Sequence, residues 1–354
     1  MRYKHSDYMH WAKTQSRARF NLATSGVGAF PLAELGTLPP LEINGDNSYG
    51  YAPLKQAIAR KCGVDAECVV TAAGTSMANY LAFATLLEPG DEVLVEHPVY
   101  GLIVDALQFA GAEVRYFPRR EENGWAIDLG DVRRAVTPKT KLIVVTNLHN
   151  PSSVLTPEAT LRELGDLGPR VLVDEVYLDA VYENTPPTAF RLGPQFVVTN
   201  SLTKLYGVSG IRCGWILAEP DLAERMWRLN DLFAATPVHP GELLCVAVLE
   251  NLAIPRERAR RAVEADRKAL AEFLNREKGV SAVRTEWGTT CFVRLLRRNA
   301  DGFLARLREE QETSAVPGRF FEMPDYFRIG MGVNSEMFAE GLRRLALHLR
   351  NDVQ

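Results

Sequence analysis

The chain has 354 residues, 46% hydrophobic and 24% charged, with a formal net charge of −3. That length carries a large buried core plus a second, smaller unit, and the near-neutral balance gives no electrostatic case for nucleic acid or an anionic membrane as partner. The five cysteines (Cys62, Cys68, Cys213, Cys245 and Cys291) are odd in number and form no Cys-x-x-Cys pair, so reduced thiols are expected rather than a disulfide framework or a metal site.

Residues 1–20 mix charged, polar and aromatic side chains and lack the apolar core of a signal peptide. No stretch reaches the apolar length that spans a bilayer, so a cytoplasmic protein is expected. The segment up to about Pro40 is too irregular to fold alone and is expected to pack on a smaller domain or on a neighbouring subunit. Gly26-Val27-Gly28 invites a dinucleotide-binding reading, which fails because Pro31 follows and no strand-turn-helix surrounds it.

From Val69 to Ala218 short apolar runs alternate with helical patterns. Val69–Thr71, Glu92–Glu96, Glu113–Phe117, Lys141–Thr146, Val171–Asp174 and Phe196–Thr199 read as buried strands, and Ser76–Leu87, Leu102–Ala110 and Pro157–Leu164 as helices. This alternation predicts an α/β domain with a mostly parallel sheet between helices. After Pro240 the pattern changes. Glu257–Lys278, Phe303–Gln311 and Glu336–Arg350 read as helices, and Val280–Thr285, Cys291–Leu296 and Tyr326–Met331 as strands of a smaller α+β domain. The expected division is an N-terminal arm over 1–40, a large domain over 41–245 and a small domain over 246–354.

Three polar residues fall at the carboxyl ends of predicted strands, where ligands bind in an open α/β sheet. Asn150 sits in an Asn-Pro turn after Lys141–Thr146, Asp174 closes Val171–Asp174, and Lys204 follows Phe196–Thr199. Singly, the turn is more often structural, the acid could bind a metal, a ribose or a protonated ring nitrogen, and the lysine could be a surface residue. A lysine just past a strand end can be desolvated, which lowers its pKa and favours Schiff-base chemistry. The turn Gly74-Thr75-Ser76 opens a helix and offers backbone N–H groups, hydroxyls and the helix dipole to a phosphate, though an ordinary N-cap is the commoner use of such residues.

In this order the motifs resemble those of class I/II aminotransferases, which are fold type I pyridoxal-phosphate enzymes. The match runs from Gly74-Thr75-Ser76 through Tyr100, Asn150-Pro151, Asp174-x-x-Tyr177 and Ser201-x-x-Lys204 to Arg212 and Arg328. The resemblance implies pyridoxal 5′-phosphate as cofactor, held by Lys204 as a Schiff base, with Lys204 then moving the substrate proton. It implies Asp174 at the pyridine nitrogen, Asn150 and Tyr177 at the phenolic oxygen, and Tyr100 stacked on the ring. It assigns Gly74, Thr75, Ser76, Ser201 and Arg212 to the phosphate. Arg328 and Asn150, with Ser25 and Gly26 of the N-terminal loop, are implied as substrate contacts. Catalysis rests on Lys204, Asp174 and Tyr177.

The family places a tyrosine five residues before the glycine matched by Gly50, where it reaches the phosphate of a dimer partner. Here Asn44 and Tyr49 are the alternatives. Ser153 stands where a glycine usually follows the Asn-Pro turn, and Ala235–His239 holds no arginine for a dicarboxylate side chain. Phe30 and His239 are further pocket candidates. The expected activity is transamination between an L-amino acid and a 2-oxo acid, in a homodimer that uses neither metal nor nucleic acid. A lyase or cyclase like capreomycidine-synthase-type members is the alternative, and a non-catalytic effector-binding domain a remote one.

Overall fold

The structure is a computed structural model describing residues 4–45, 48–296 and 299–351. Its centre is a seven-stranded sheet in the spatial order Val69–Ala73, Cys213–Leu217, Phe196–Ser201, Arg170–Asp174, Thr140–Thr146, Glu92–His97, Glu113–Pro118. Cys213–Leu217 runs antiparallel to both neighbours, and the remaining pairings are parallel. The apolar runs lack polar alternation because both faces of the sheet are covered. Ile143, Val145, Val171, Val173 and Val198 point into one core layer, while Leu142, Val144, Leu172 and Val197 point into the other. The fold is thus the expected α/β sandwich, with strand ends extended by one or two residues.

The C-terminal part holds the helices Ala253–Arg276, Ala300–Gln311 and Ser335–Asn351 and a four-stranded antiparallel sheet. The sheet order is Val316–Pro317, Tyr326–Gly330, Thr290–Leu295, Val280–Ala282. Arg328 therefore lies on an inner strand, opposite Phe292 on one side and Val316 on the other.

The N-terminal segment packs on this part. Phe20–Asn21 pairs in parallel with Thr313–Ser314. Before it comes a helix that the sequence reading did not anticipate, Asp7–Thr14, capped by the Ser6 hydroxyl accepting from the Met9 N–H. Trp11 and Tyr8 of this helix are buried against Phe320. Among the described residues no helix is long and apolar enough to cross a membrane, and no cluster of His, Cys, Asp and Glu could hold a metal ion.

Candidate active site

Because the strands around the sheet centre are parallel, their carboxyl ends open on one edge. Thr146, Asp174 and Thr199 stand side by side across three adjacent strands there. A cavity of about 240 Å³ lies over this edge. Thr75, Ser76, Tyr100, Asn150, Asp174, Tyr177, Lys204, Arg212, Arg328 and Ser25 all line it.

Lys204 follows the Phe196–Ser201 strand and is crossed by the N-terminal loop. Its Nζ donates to Ser25 Oγ at 2.7 Å, and its carbonyl accepts from the Val27 N–H at 2.9 Å. A Cβ on Gly26 would stand 2.7 Å from that carbonyl oxygen, so only glycine lets the loop approach so closely. Burial pulls the lysine amine down to about 8 and Arg328 pushes the same way, against the pull of Asp174.

Asp174 ends its strand in the buried floor. Its carboxylate accepts from Asn79 Nδ2 at 2.9 Å and from the Val176 N–H at 3.1 Å. Burial raises its pKa to about 6, and these two hydrogen bonds and Lys204 oppose the rise. Asn79 is itself fixed by the Thr199 hydroxyl at 2.5 Å.

At the other end of the cavity, Arg328 is 0% exposed. Its Nη1 donates to Asn150 Oδ1 at 2.9 Å and its Nη2 to the Tyr8 hydroxyl at 3.1 Å, while Nε has no partner. Asn150 is held by its own N–H donating to Thr146 Oγ1 at 2.9 Å. Thr146 in turn donates through its N–H and hydroxyl to Glu96, both at 2.6 Å. Glu96 is buried and paired with Arg119 at 2.8 Å.

Gly74, at φ +84°, lies directly under the Arg212 guanidinium, and a Cβ there would collide with it. Arg212 Nη2 also donates to the Ala73 carbonyl at 3.0 Å. Thr75 begins the helix Thr75–Leu86, whose first N–H groups face the cavity end.

Three predicted contacts do not line the cavity: Gly74, which lies under Arg212, and Gly26 and Ser201. Gly26 acts as the close-packing point just described. Ser201 is buried behind Thr75, accepting its hydroxyl hydrogen bond at 2.7 Å and lying 2.6 Å from Thr203 Oγ1. Tyr177 does line the cavity, and its hydroxyl donates to the Ser25 carbonyl at 2.8 Å. Tyr100 packs edge-on to Tyr8, with ring centres 5.1 Å apart.

Phe30 and His239 lie elsewhere. Phe30 is buried beneath Arg258, and His239 faces Glu242 and the Tyr51 ring. Tyr49 is half exposed and bonds Asp231 at 3.2 Å. The cavity also contains Tyr8, Met9, Asn79 and Thr146, which the sequence reading did not single out. Asn79 was legible, one helical turn beyond Thr75 on the same face. Tyr8 carried no such signal.

These residues fit pyridoxal phosphate. A buried carboxylate, a lysine of lowered pKa and a glycine-arginine cradle at a helix N-terminus match the ring nitrogen, aldehyde and phosphate that must meet there.

Residues 43–345 match the family model for aminotransferase class I and II. The arginine–pyruvate transaminase AruH of Pseudomonas aeruginosa is 30% identical over 316 residues, 84% of this chain and 80% of that protein. Capreomycidine synthase of Streptomyces vinaceus is 29% identical over 351 residues, 94% of this chain and 90% of that protein. A PLP-dependent aminotransferase from Streptococcus suis superposes with a TM-score of 0.92 at 28% identity, covering 99% of each chain. Enzymes of this family and fold depend on pyridoxal 5′-phosphate, which is the cofactor here. With its fold, its cavity and a match spanning most of its length, the chain belongs to the class I and II aminotransferase family.

Proposed function

We propose that the protein is an aminotransferase that passes an amino group between an L-amino acid and a 2-oxo acid, with Lys204 as the cofactor-holding lysine and proton carrier. One observation carries this reading. Arg328 is a fully buried cation with an unpartnered Nε, and no Asp or Glu among the described residues lies within ion-pair distance of it. A buried guanidinium without a counter-ion is costly unless a ligand supplies the anion. Arg328 shares its cavity with Lys204, so an α-amino acid can set its carboxylate on one and its amine near the other.

When bound, pyridoxal phosphate supplies an electron sink for negative charge developing at the substrate Cα. Lys204 Nζ, largely neutral above its lowered pKa of about 8, takes the Cα proton and returns it, with Ser25 Oγ setting its direction. Asp174, steadied by Asn79 and the Val176 N–H, keeps a proton on the ring nitrogen. Asn150 turns its oxygen to Arg328, which leaves its amide N–H groups for the phenolic oxygen beside Tyr177. Gly74, Thr75, Ser76 and Arg212 hold the phosphate, and Ser201 fixes the Thr75 hydroxyl from behind.

A lyase or cyclase is the second reading, favoured by the capreomycidine synthase match extending over 94% of the chain. Single amino acids incubated with the holoprotein separate the two. Transfer yields a new amino acid only when a 2-oxo acid acceptor is present, whereas ammonia or a cyclised product without an acceptor overturns it.

We further propose a homodimer. Leu41, Ile43, Tyr49, Leu232, Phe233 and Val238 are exposed, and the two segments that carry them meet where Tyr49 bonds Asp231 and Gly45 approaches His239, apolar surface suited to a second copy. Full activity in a monomer during sedimentation would count against it.

A further inference from the structure

Part of the cavity wall is built from the Asp7–Thr14 helix, through Tyr8, Met9 and Ala12. Tyr8 is held by two aromatic contacts and one polar one. Its ring stands edge-on to Tyr100 at 5.1 Å and to Phe320 at 5.4 Å, and its oxygen accepts from Arg328 Nη2 at 3.1 Å. Trp11, one turn further along, is seated on the same Phe320 ring at 5.4 Å. The phenol is therefore fixed in place before any ligand arrives. Its oxygen is used as an acceptor, and no described residue accepts its O–H proton, which is free to point into the cavity.

A phenol that accepts from a guanidinium and keeps its own proton is arranged to donate to an anion on that guanidinium. Arg328 has Nε unpartnered, and a carboxylate taking Nε and an adjacent Nη arrives beside the Tyr8 hydroxyl. We propose that Tyr8 is a substrate-contacting specificity residue whose O–H donates to the carboxylate held by Arg328. The N-terminal helix thereby becomes part of carboxylate recognition, and substrates lacking that carboxylate forfeit both contacts. This rests on the reading of Arg328 as the carboxylate anchor.

The test uses the holoprotein with propionate as an unreactive carboxylate, its dissociation constant read by calorimetry, together with kcat and KM for an amino acid substrate. Tyr8→Phe keeps the ring packing and removes only the hydroxyl. It is expected to weaken propionate and raise KM by about 10- to 100-fold, the loss of one hydrogen bond to a charged group, with kcat and the cofactor absorbance band little changed. Trp11→Phe loosens the seat of the same helix without touching the hydroxyl and is expected to leave propionate binding as it was.

Unchanged propionate binding in Tyr8→Phe, with weakened binding in Arg328→Lys, overturns the role of Tyr8 and leaves the Arg328 reading intact. Weakening in Trp11→Phe equal to that in Tyr8→Phe also overturns it, since seating of the helix would then explain both. If Arg328→Lys too leaves binding unchanged, the anchor reading itself falls, and the role of Tyr8 with it.

Discussion

Ser153 Oγ donates to the Thr290 carbonyl oxygen at 2.8 Å, from a residue held at φ +65°. It also lies 2.9 Å from Thr290 Oγ1 and accepts from the Thr290 N–H at 3.3 Å. A serine thus occupies the left-handed backbone position that the family gives to glycine, and its hydroxyl ties the Asn150-Pro151 turn to the strand beside Arg328. Ser153→Ala keeps the backbone strain and loses these bonds, and is expected to destabilise by about 1–3 kcal/mol. Ser153→Gly loses the same bonds but relieves the strain, so it should fall roughly 1 kcal/mol less. Urea denaturation of the three proteins measures both differences.

Lys204 offers a titration. Its amine, pulled to about 8 chiefly by burial and then by Arg328, reacts only when neutral. In cofactor-free protein, the rate of pyridoxal phosphate capture by Lys204 is expected to rise with pH around a midpoint near 8. Arg328→Leu removes a nearby positive charge, favours the protonated amine and moves the midpoint upward. Lys204→Ala should abolish borohydride-fixable labelling altogether. Labelling that persists in Lys204→Ala would count against Lys204 as the site of attachment.

The proposed phosphate cradle is expected to be sensitive to a single methyl group. Gly74→Ala places a Cβ against the Arg212 guanidinium at φ +84°. The substitution is expected to cost about 1–2 kcal/mol in stability through the backbone alone. Pyridoxal phosphate affinity should drop by roughly tenfold or more as Arg212 is displaced, matching Arg212→Ala within a small factor. Equilibrium dialysis of the cofactor checks this.

Glu175 lies next to Asp174 but points the other way, accepting from the Ala189 N–H at 2.7 Å. Burial raises its carboxyl to about 7 from an ordinary 4.5, so the folded state binds more protons than the unfolded state between these values. Its contribution to stability is present below pH 4.5 and lost as pH rises through 7. Glu175→Gln should therefore gain stability relative to the parent between pH 5 and pH 8, with the remaining slope due in part to Asp174. Chemical denaturation of the cofactor-free proteins at both pH values measures the gain.

Much of the cavity-lining edge was legible because strand period and parallel order leave strand-end residues few places to go. Asp174 and Asn150 needed only the positions of their strands, and Lys204 only the end of the next one. What was illegible depended on distant partners. Tyr8 meets Arg328 across 320 positions, and nothing near residue 8 announces that contact. The place of Arg328 on an inner strand, with Val316–Pro317 pairing outside it, was likewise not visible from its own segment. Phe30 and His239 lie away from the cavity, Phe30 against Arg258 far along the chain and His239 against Glu242 three residues on. Ser153 departs from the expected glycine, and its compensating bonds to Thr290 could not be seen from the turn alone.

The parallel pairing of Phe20–Asn21 with Thr313–Ser314 also orders events on the ribosome. The strand that leads into Lys204 can be completed while synthesis continues. The Asp7–Thr14 helix can meet Tyr100 early, but its seat on Phe320 and its bond to Arg328 form only once those residues have emerged. That side of the pocket is therefore completed late in translation.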